Sequence, residues 1–179
     1  AFEAEQILKV PDLSTPRGLR DRAILETLYA TGVRRQELAA LKIDDIDLEN
    51  GRLMVRQGKG KRDRLLPLSE RACAWIEKYL EESRFQISRG ADDGSLFISH
   101  IGKRMHPEQM TKIVRRSIEA AEIEKPGACH LFRHTLATLM LEGGADLRYV
   151  QAMLGHADIS TTQIYTRVAI GKLQEALEK

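Results

Sequence analysis

What this sequence lacks narrows the reading before any motif is considered. It has two cysteines in 179 residues, Cys73 and Cys129, far apart and without a Cys-x-x-Cys neighbour. A disulfide framework is excluded. A single bond between the two stays open, but two lone buried thiols in a reducing compartment are the expectation. No apolar run approaches the 18 or so residues that a membrane span requires. The first residues, Ala1-Phe2-Glu3-Ala4-Glu5, carry acids where a secretion signal carries bases, so a cytoplasmic protein is expected. With only 13 glycines and 5 prolines, and with 42% apolar and 30% charged residues, the chain is neither collagen-like nor wholly disordered. Net charge is also scarce. Twenty-eight Lys and Arg face 26 Asp and Glu, a balance of +2, too small to imply a nucleic-acid partner unless the charges are segregated. No repeat of 20–50 residues is present. One domain with a sizeable core remains, with room for a small appendage.

The patterning predicts an α+β domain, mainly α-helical, with a small three-stranded antiparallel sheet. Residues 1–15 read as a linker or lead-in. Thr15-Pro16 is a cap followed by proline at the first helical position, and Gly32 suits that helix's end. A shorter helix fits residues 34–41. Asp44-Asp45-Ile46-Asp47 and Asn50-Gly51 read as turns. Strands are expected over 52–57 and 64–68, on either side of Gly58-Lys59-Gly60-Lys61, with a third over 95–99. A helix from Ser69-Glu70 to about residue 82 turns Ala72, Trp75, Ile76, Tyr79 and Leu80 inward. Another runs from His106-Pro107 to about 121. The last third is helical over 130–142 and 147–154, with short helices at 162–165 and 170–177.

Positive charge is local. Between residues 50 and 66, Arg52, Arg56, Lys59, Lys61, Arg62 and Arg64 face only Asp63. Between 101 and 116, Lys103, Arg104, Lys112, Arg115 and Arg116 face only Glu108. Each alone reads as a solvated charged face. Together, in a nearly neutral chain, they imply one positive side that suits a DNA backbone.

His130 and Arg133 share a helix face, and His134 is expected to point more inward, beside Leu131 and Leu139. His156 follows a helix-ending glycine, and Tyr165 lies nine residues later in the polar run Ser160-Thr161-Thr162-Gln163. Tyr29, Tyr79 and Tyr149 sit in helical, less polar settings. Without further context, His130 reads as a satisfied interior histidine and Tyr165 as a half-buried aromatic. A zinc site built on His130, His134 and His156 is disfavoured, because the zinc-protease spacing needs Glu where Leu131 stands and Arg133 opposes a cation. Lys59 lacks the Ser or Thr that a phosphate-loop lysine precedes. Arg34, Arg133, two histidines, a lysine and a tyrosine do match the needs of metal-free phosphoryl transfer on a nucleic-acid backbone. Guanidinium forks meet the oxygens that gather charge, a tyrosine attacks phosphorus, and a lysine protonates the leaving oxygen.

Five ordered motifs carry a resemblance. Thr31-Gly32-Val33-Arg34-Arg35-Gln36-Glu37-Leu38, Gly58-Lys59-Gly60, His130-Leu131-Phe132-Arg133-His134, Leu154-Gly155-His156 and Tyr165 closely resemble the tyrosine recombinase family, especially its Xer recombinases and phage-type integrases. The likeness covers about residues 15–168 and implies that family's catalytic-domain fold. It implies a site-specific DNA recombinase that cleaves and rejoins duplex DNA through a 3′-phosphotyrosine, with neither cofactor nor metal. Carried onto this chain, Arg34 and Arg133 clamp the phosphate and Lys59 protonates the 5′ leaving oxygen. His130 assists proton transfer, His156 bonds the phosphate and Tyr165 is the nucleophile. Glu37 braces the arginines, and His134 is a core or supporting hydrogen-bonder. Arg56, Lys61, Arg62, Arg64, Lys103, Arg104, Lys112, Arg115 and Arg116 are the candidate DNA contacts. The expected partners are double-stranded DNA with a partly symmetric site and like or related recombinases in a tetrameric synaptic complex, in the bacterial cytoplasm or nucleoid. Family members usually carry an amino-terminal DNA-gripping domain, so the isolated chain is expected to be a fragment, monomeric and weakly binding. Residues 169–179 are expected to form a terminal helix exchanged between subunits. Type IB topoisomerase-like relaxation and a non-catalytic DNA-binding regulator are the alternatives.

Overall fold

Thr15 caps the first long helix through its side chain, which accepts a hydrogen bond from the Gly18 N–H at 3.0 Å, and Pro16 occupies the first helical position. The helix ends where expected, on Gly32 in the left-handed region with φ 59°, whose N–H returns to Leu28 O at 2.9 Å. Gly32 is doubly required. A Cβ there would also come within 2.9 and 3.0 Å of the Leu154 and Leu136 side chains.

The computed structural model describes residues 2–56, 63–90, 92–124 and 127–155. Lys59, Lys61, Arg62, His156, Tyr165 and the 169–179 tail lie outside the described residues. In chain order the elements are α1 (Phe2–Leu8), α2 (Pro16–Thr31), α3 (Arg35–Ala40), β1 (Ile46–Asp47), β2 (Arg52–Val55) and β3 (Arg64–Pro67), then α4 (Glu70–Tyr79), α5 (Phe85–Ser88), α6 (Pro107–Ala120), α7 (Cys129–Glu142) and α8 (Leu147–Leu154). The class is as expected, mainly helical with a three-stranded antiparallel sheet in the order β1-β2-β3. Helix α2 is the axis, packed against α4 and α7 and buried nearly all round. Several of its buried polar side chains bond within the helix. Thr27 and Thr31 hydroxyls donate to Ala23 O and Thr27 O at 2.7 and 2.6 Å, and Arg22 holds Glu26 with bonds of 2.7 and 3.0 Å. On the sheet, Leu53, Val55 and Leu66 face this core.

Three expectations are corrected. Residues 1–15 are not simply a lead-in, because α1 buries Ile7 and Leu8 completely and Leu8 O accepts from Arg22 Nη1 at 2.6 Å. The third strand is residues 46–47, not 95–99. The Asp47 carboxylate accepts from Asn50 N at 3.0 Å and Nδ2 at 2.8 Å, and the turn it shapes lets Ile46 pair with Leu53. Leu96, Phe97 and Ile98 are buried, but the carbonyls of Leu96 and Ile98 serve side chains, and Phe97 O accepts from the Met105 N–H at 3.2 Å. Tyr79 Oη donates to Leu96 O at 3.0 Å and Arg20 Nη1 to Ile98 O at 3.0 Å, which leaves single bridges in place of a ladder. The helix expected to stop near residue 82 instead continues through a π-helical turn, Leu80–Arg84, into α5.

Candidate functional site

The left-handed turn at Gly32 throws the chain out of α2, and Arg34 stands at the N-cap of α3 with extended backbone. Glu37, at the third position of α3, reaches back to accept from the Arg34 N–H at 2.8 Å. Arg133 lies on α7 at the edge of the buried stripe Cys129, Phe132, Leu136 and Met140, so it is half-buried. Arg64 starts β3 on the same face as Leu66 and is buried at 6% exposure.

These side chains meet at the carboxyl end of α8. Arg64 donates to both Glu37 oxygens at 2.8 and 2.7 Å and through Nε to Met153 O at 3.3 Å. Arg133 donates to Gly32 O at 2.8 Å and to Leu154 O. Arg34 donates to Gly155 O at 3.2 Å and to Glu37 Oε1 at 3.2 Å. Three arginines thus take three successive carbonyls, where a helix leaves its last acceptors unpaired and carries partial negative charge. Gly155, with φ 64°, closes the helix directly against the Arg64 guanidinium.

The electrostatics follow from this crowding. Burial, together with the charges of Arg34 and Arg64, brings the Arg133 guanidinium down to about 10, with Glu37 opposing. It remains cationic at neutral pH. Burial pushes the Glu37 carboxyl up, but the hydrogen bonds and charge of Arg64, helped by Arg34, outweigh it and hold the group below its ordinary value. A site with surplus guanidinium charge around one carboxylate suits an oxyanion.

His130 is exposed one turn before Arg133. His134 is also exposed, contrary to the inward position expected. At 100° per residue it falls on the far side of α7 from the buried stripe, and its backbone carbonyl accepts from Thr138 Oγ1 at 3.0 Å. Arg64, expected on the DNA-facing side, is instead interior and committed to Glu37. Strand alternation puts 64 on one face with 66, and the packing of the sheet makes that face the core side. Arg35, the neighbour of Arg34, leans to α6 and donates to Thr111 Oγ1 at 3.3 Å. Of the remaining basic residues, Arg56 is exposed and pairs with Asp45 at 2.5 Å. Lys103, Arg104, Lys112, Arg115 and Arg116 are all exposed, with Arg104 anchored to Ala39 O at 2.8 Å.

The other described tyrosines are differently placed. Tyr79 is fully buried, bonds Leu96 O, and is pushed up to about 12, first by burial. Tyr29 lies edge-on to Phe132 under Arg71, and Tyr149 is half-buried on α8. Cys73 and Cys129 are free thiols, and burial raises both. No described helix is long and apolar enough to cross a membrane.

The phage integrase family model matches residues 1–171. Tyrosine recombinase XerC 2 of Ralstonia nicotianae is 49% identical over 172 residues, covering 96% of this chain and 49% of its own length. Among solved structures, XerA recombinase superposes with a TM-score of 0.78 at 35% identity, over 97% of this chain and 61% of that one. XerH site-specific recombinase bound to its difH substrate, a pre-cleavage complex, gives 0.75 at 29%, over 87% of this chain and 46% of that one. The chain therefore spans about half the length of the Ralstonia relative.

Proposed function

Because the chain belongs to the phage integrase family, whose resembling members here are Xer tyrosine recombinases, we propose that it is the catalytic part of a site-specific DNA recombinase. The observation that carries this reading is the meeting of Arg34 and Arg133, 99 positions apart in sequence, on adjacent carbonyls at the end of α8. Their forks are held within a short reach of one another, as a pair must be to grip one phosphate from two sides. A scissile phosphate offers stronger acceptors than neutral carbonyls, so the N–H groups now spent on Leu154 O and Gly155 O transfer to its non-bridging oxygens. As phosphorus becomes pentacoordinate these bonds strengthen, which is transition-state stabilisation.

Tyr165 attacks the phosphorus, and its proton leaves with help from His130, which is exposed toward solvent and so open to substrate. Lys59 protonates the departing 5′ oxygen, and His156 adds a bond to the phosphate. The DNA remains joined to Tyr165 through its 3′ phosphate, and the free 5′ hydroxyl of a partner strand reverses the step. The link conserves the phosphodiester energy, so the roles assigned need only this chain's own side chains. The substrate is duplex DNA with a partly symmetric site, acted on by four like or related subunits in the bacterial cytoplasm or nucleoid. The exposed basic side chains on and before α6 track the backbone. The relatives and structures compared are recombinases, which leaves relaxation and regulation without support.

The test is covalent capture. The chain is incubated with a pool of nicked duplexes carrying randomised half-sites, and protein–DNA adducts are isolated and sequenced. Adducts that map to Tyr165, vanish in Tyr165→Phe and share a half-site are expected. Noncovalent binding without any adduct would leave a DNA-binding protein and remove the recombinase.

A further inference from the structure

Arg64 is the one member of the cluster that cannot reach substrate. It is buried at 6% exposure, its two terminal nitrogens are spent on Glu37 at 2.8 and 2.7 Å, and its Nε faces Met153 O at 3.3 Å. It nonetheless touches both structures that the phosphate clamp depends on. Through Glu37 it fixes Arg34, since the same carboxylate accepts from the Arg34 backbone N–H and its Nη1. Through Met153 O and the face of Gly155 it fixes the last turn of α8, whose next two carbonyls hold Arg133 and Arg34. The approach to Gly155 is close. A Cβ there would lie 3.0 Å from Arg64 Cζ and Nη1 and 3.2 Å from Nε, so the guanidinium lies flat against a residue with no side chain.

We propose that Arg64 is a positioning residue for strand cleavage. It ties the α3 end of the arginine clamp to the point where the chain leaves α8, from which His156 and Tyr165 follow in sequence. This rests on the recombinase reading above and deepens it. The geometry makes the planar fork necessary. One edge pairs with the carboxylate while the Nε edge meets a carbonyl in another element. A lysine supplies charge to Glu37 but is a single point and cannot hold both partners at fixed angle. Small misplacements of reacting groups cost on the order of 10²-fold in rate, so loss of this tie registers in chemistry more than in DNA affinity.

The experiment compares wild type with Arg64→Lys on a duplex recovered by the covalent capture, with rates normalised to folded protein by circular dichroism. The expected result is adduct formation at saturating duplex slower by about ten-fold or more, with Kd changed by less than about three-fold. The dependence of log affinity on log salt keeps its wild-type slope, because every bond to phosphate is retained. If Arg64→Lys does not fold, the double variant Glu37→Gln with Arg64→Met removes both charges together and must show the same loss of rate at unchanged affinity. A normalised rate within two-fold of wild type overturns the proposal, as the residue is then merely structural. A salt slope reduced by about one also overturns it, since Arg64 then binds phosphate directly. Absence of adduct from wild type, by contrast, counts against the recombinase reading itself.

Discussion

Arginine is used in two opposite ways in this molecule. At the end of α8, Arg34, Arg64 and Arg133 are wholly or partly buried and bonded to named carbonyls and to one carboxylate, and burial, with the charges of the other two, drives Arg133 down to about 10. Lys103, before α6, is exposed, and Lys112, Arg115 and Arg116 project into solvent from that helix, whose opposite face, Met110, Ile113, Val114 and Ile118, is core. The first group is held in place before substrate arrives, and the second is solvated, with Arg116 folded back on Lys112 O at 3.4 Å. Preorganised charge acts on the transition state, because no reorganisation is needed when the reaction occurs. Solvated charge acts on encounter and affinity by displacing counterions, and salt screens it.

The largest effect that would test this division is on stability. Glu37→Ala leaves buried Arg64 without its carboxylate and should cost about 3–5 kcal/mol in urea unfolding, whereas Arg115→Ala should stay within about 0.5 kcal/mol. Similar costs at the two sites would erase the distinction. The Glu37 carboxyl is held low in the folded state. Its pairing therefore stabilises fully above its ordinary value of 4.5, and the contribution is lost as pH falls through the lower folded-state value. Glu37→Gln should accordingly flatten the decline of melting temperature on the acid side of pH 4.5.

Next comes chemistry. Arg133→Ala should slow adduct formation by at least about 10²-fold at saturating DNA, and Arg133→Lys should recover little, because lysine lacks the bidentate fork. A lysine variant of near-normal rate would mean that charge alone suffices there. Smaller is the salt effect. Replacing Lys112, Arg115 and Arg116 by Gln should lower the salt slope by up to about 0.9 for each phosphate no longer neutralised, with the saturated cleavage rate unchanged. If that rate falls as well, these residues do more than attract. Smallest is the exposed Lys78–Glu82 pair at 2.9 Å, whose removal should change stability by no more than about 0.5 kcal/mol and serves as the baseline.

Some of this was legible in the chain itself. The caps at Thr15 and Ser69, proline at 16 and 107 and glycine at 32, 143 and 155 mark helix limits through local bonds and, at 32 and 155, a left-handed φ, and α2, α6, α7 and α8 lie close to where those signals place them. The five motifs identified the family for the same reason, being short strings whose residues act near one another along the chain. Where partners come from distant segments, local reading failed. The run 95–99 has strand composition, yet Tyr79, Arg84 and Arg20 take its carbonyls. Helix α1 looked like a lead-in because its burial depends on α2 and α6, which follow it.

The candidate site divides along the same line. The sequence by itself determined which residue types are present and that Arg34 and Arg133 sit at helix positions able to present them, because motif, cap and period are properties of neighbouring residues. Only the tertiary structure decided that Arg64 turns inward to Glu37 and not outward to DNA, that His134 faces solvent, and that three arginines from α3, β3 and α7 close on three carbonyls of α8. A strand's alternation allows either face until a sheet is laid against a core. A buried charge is tolerated only where folding delivers its counter-charge, and here the counter-charge is 27 positions away.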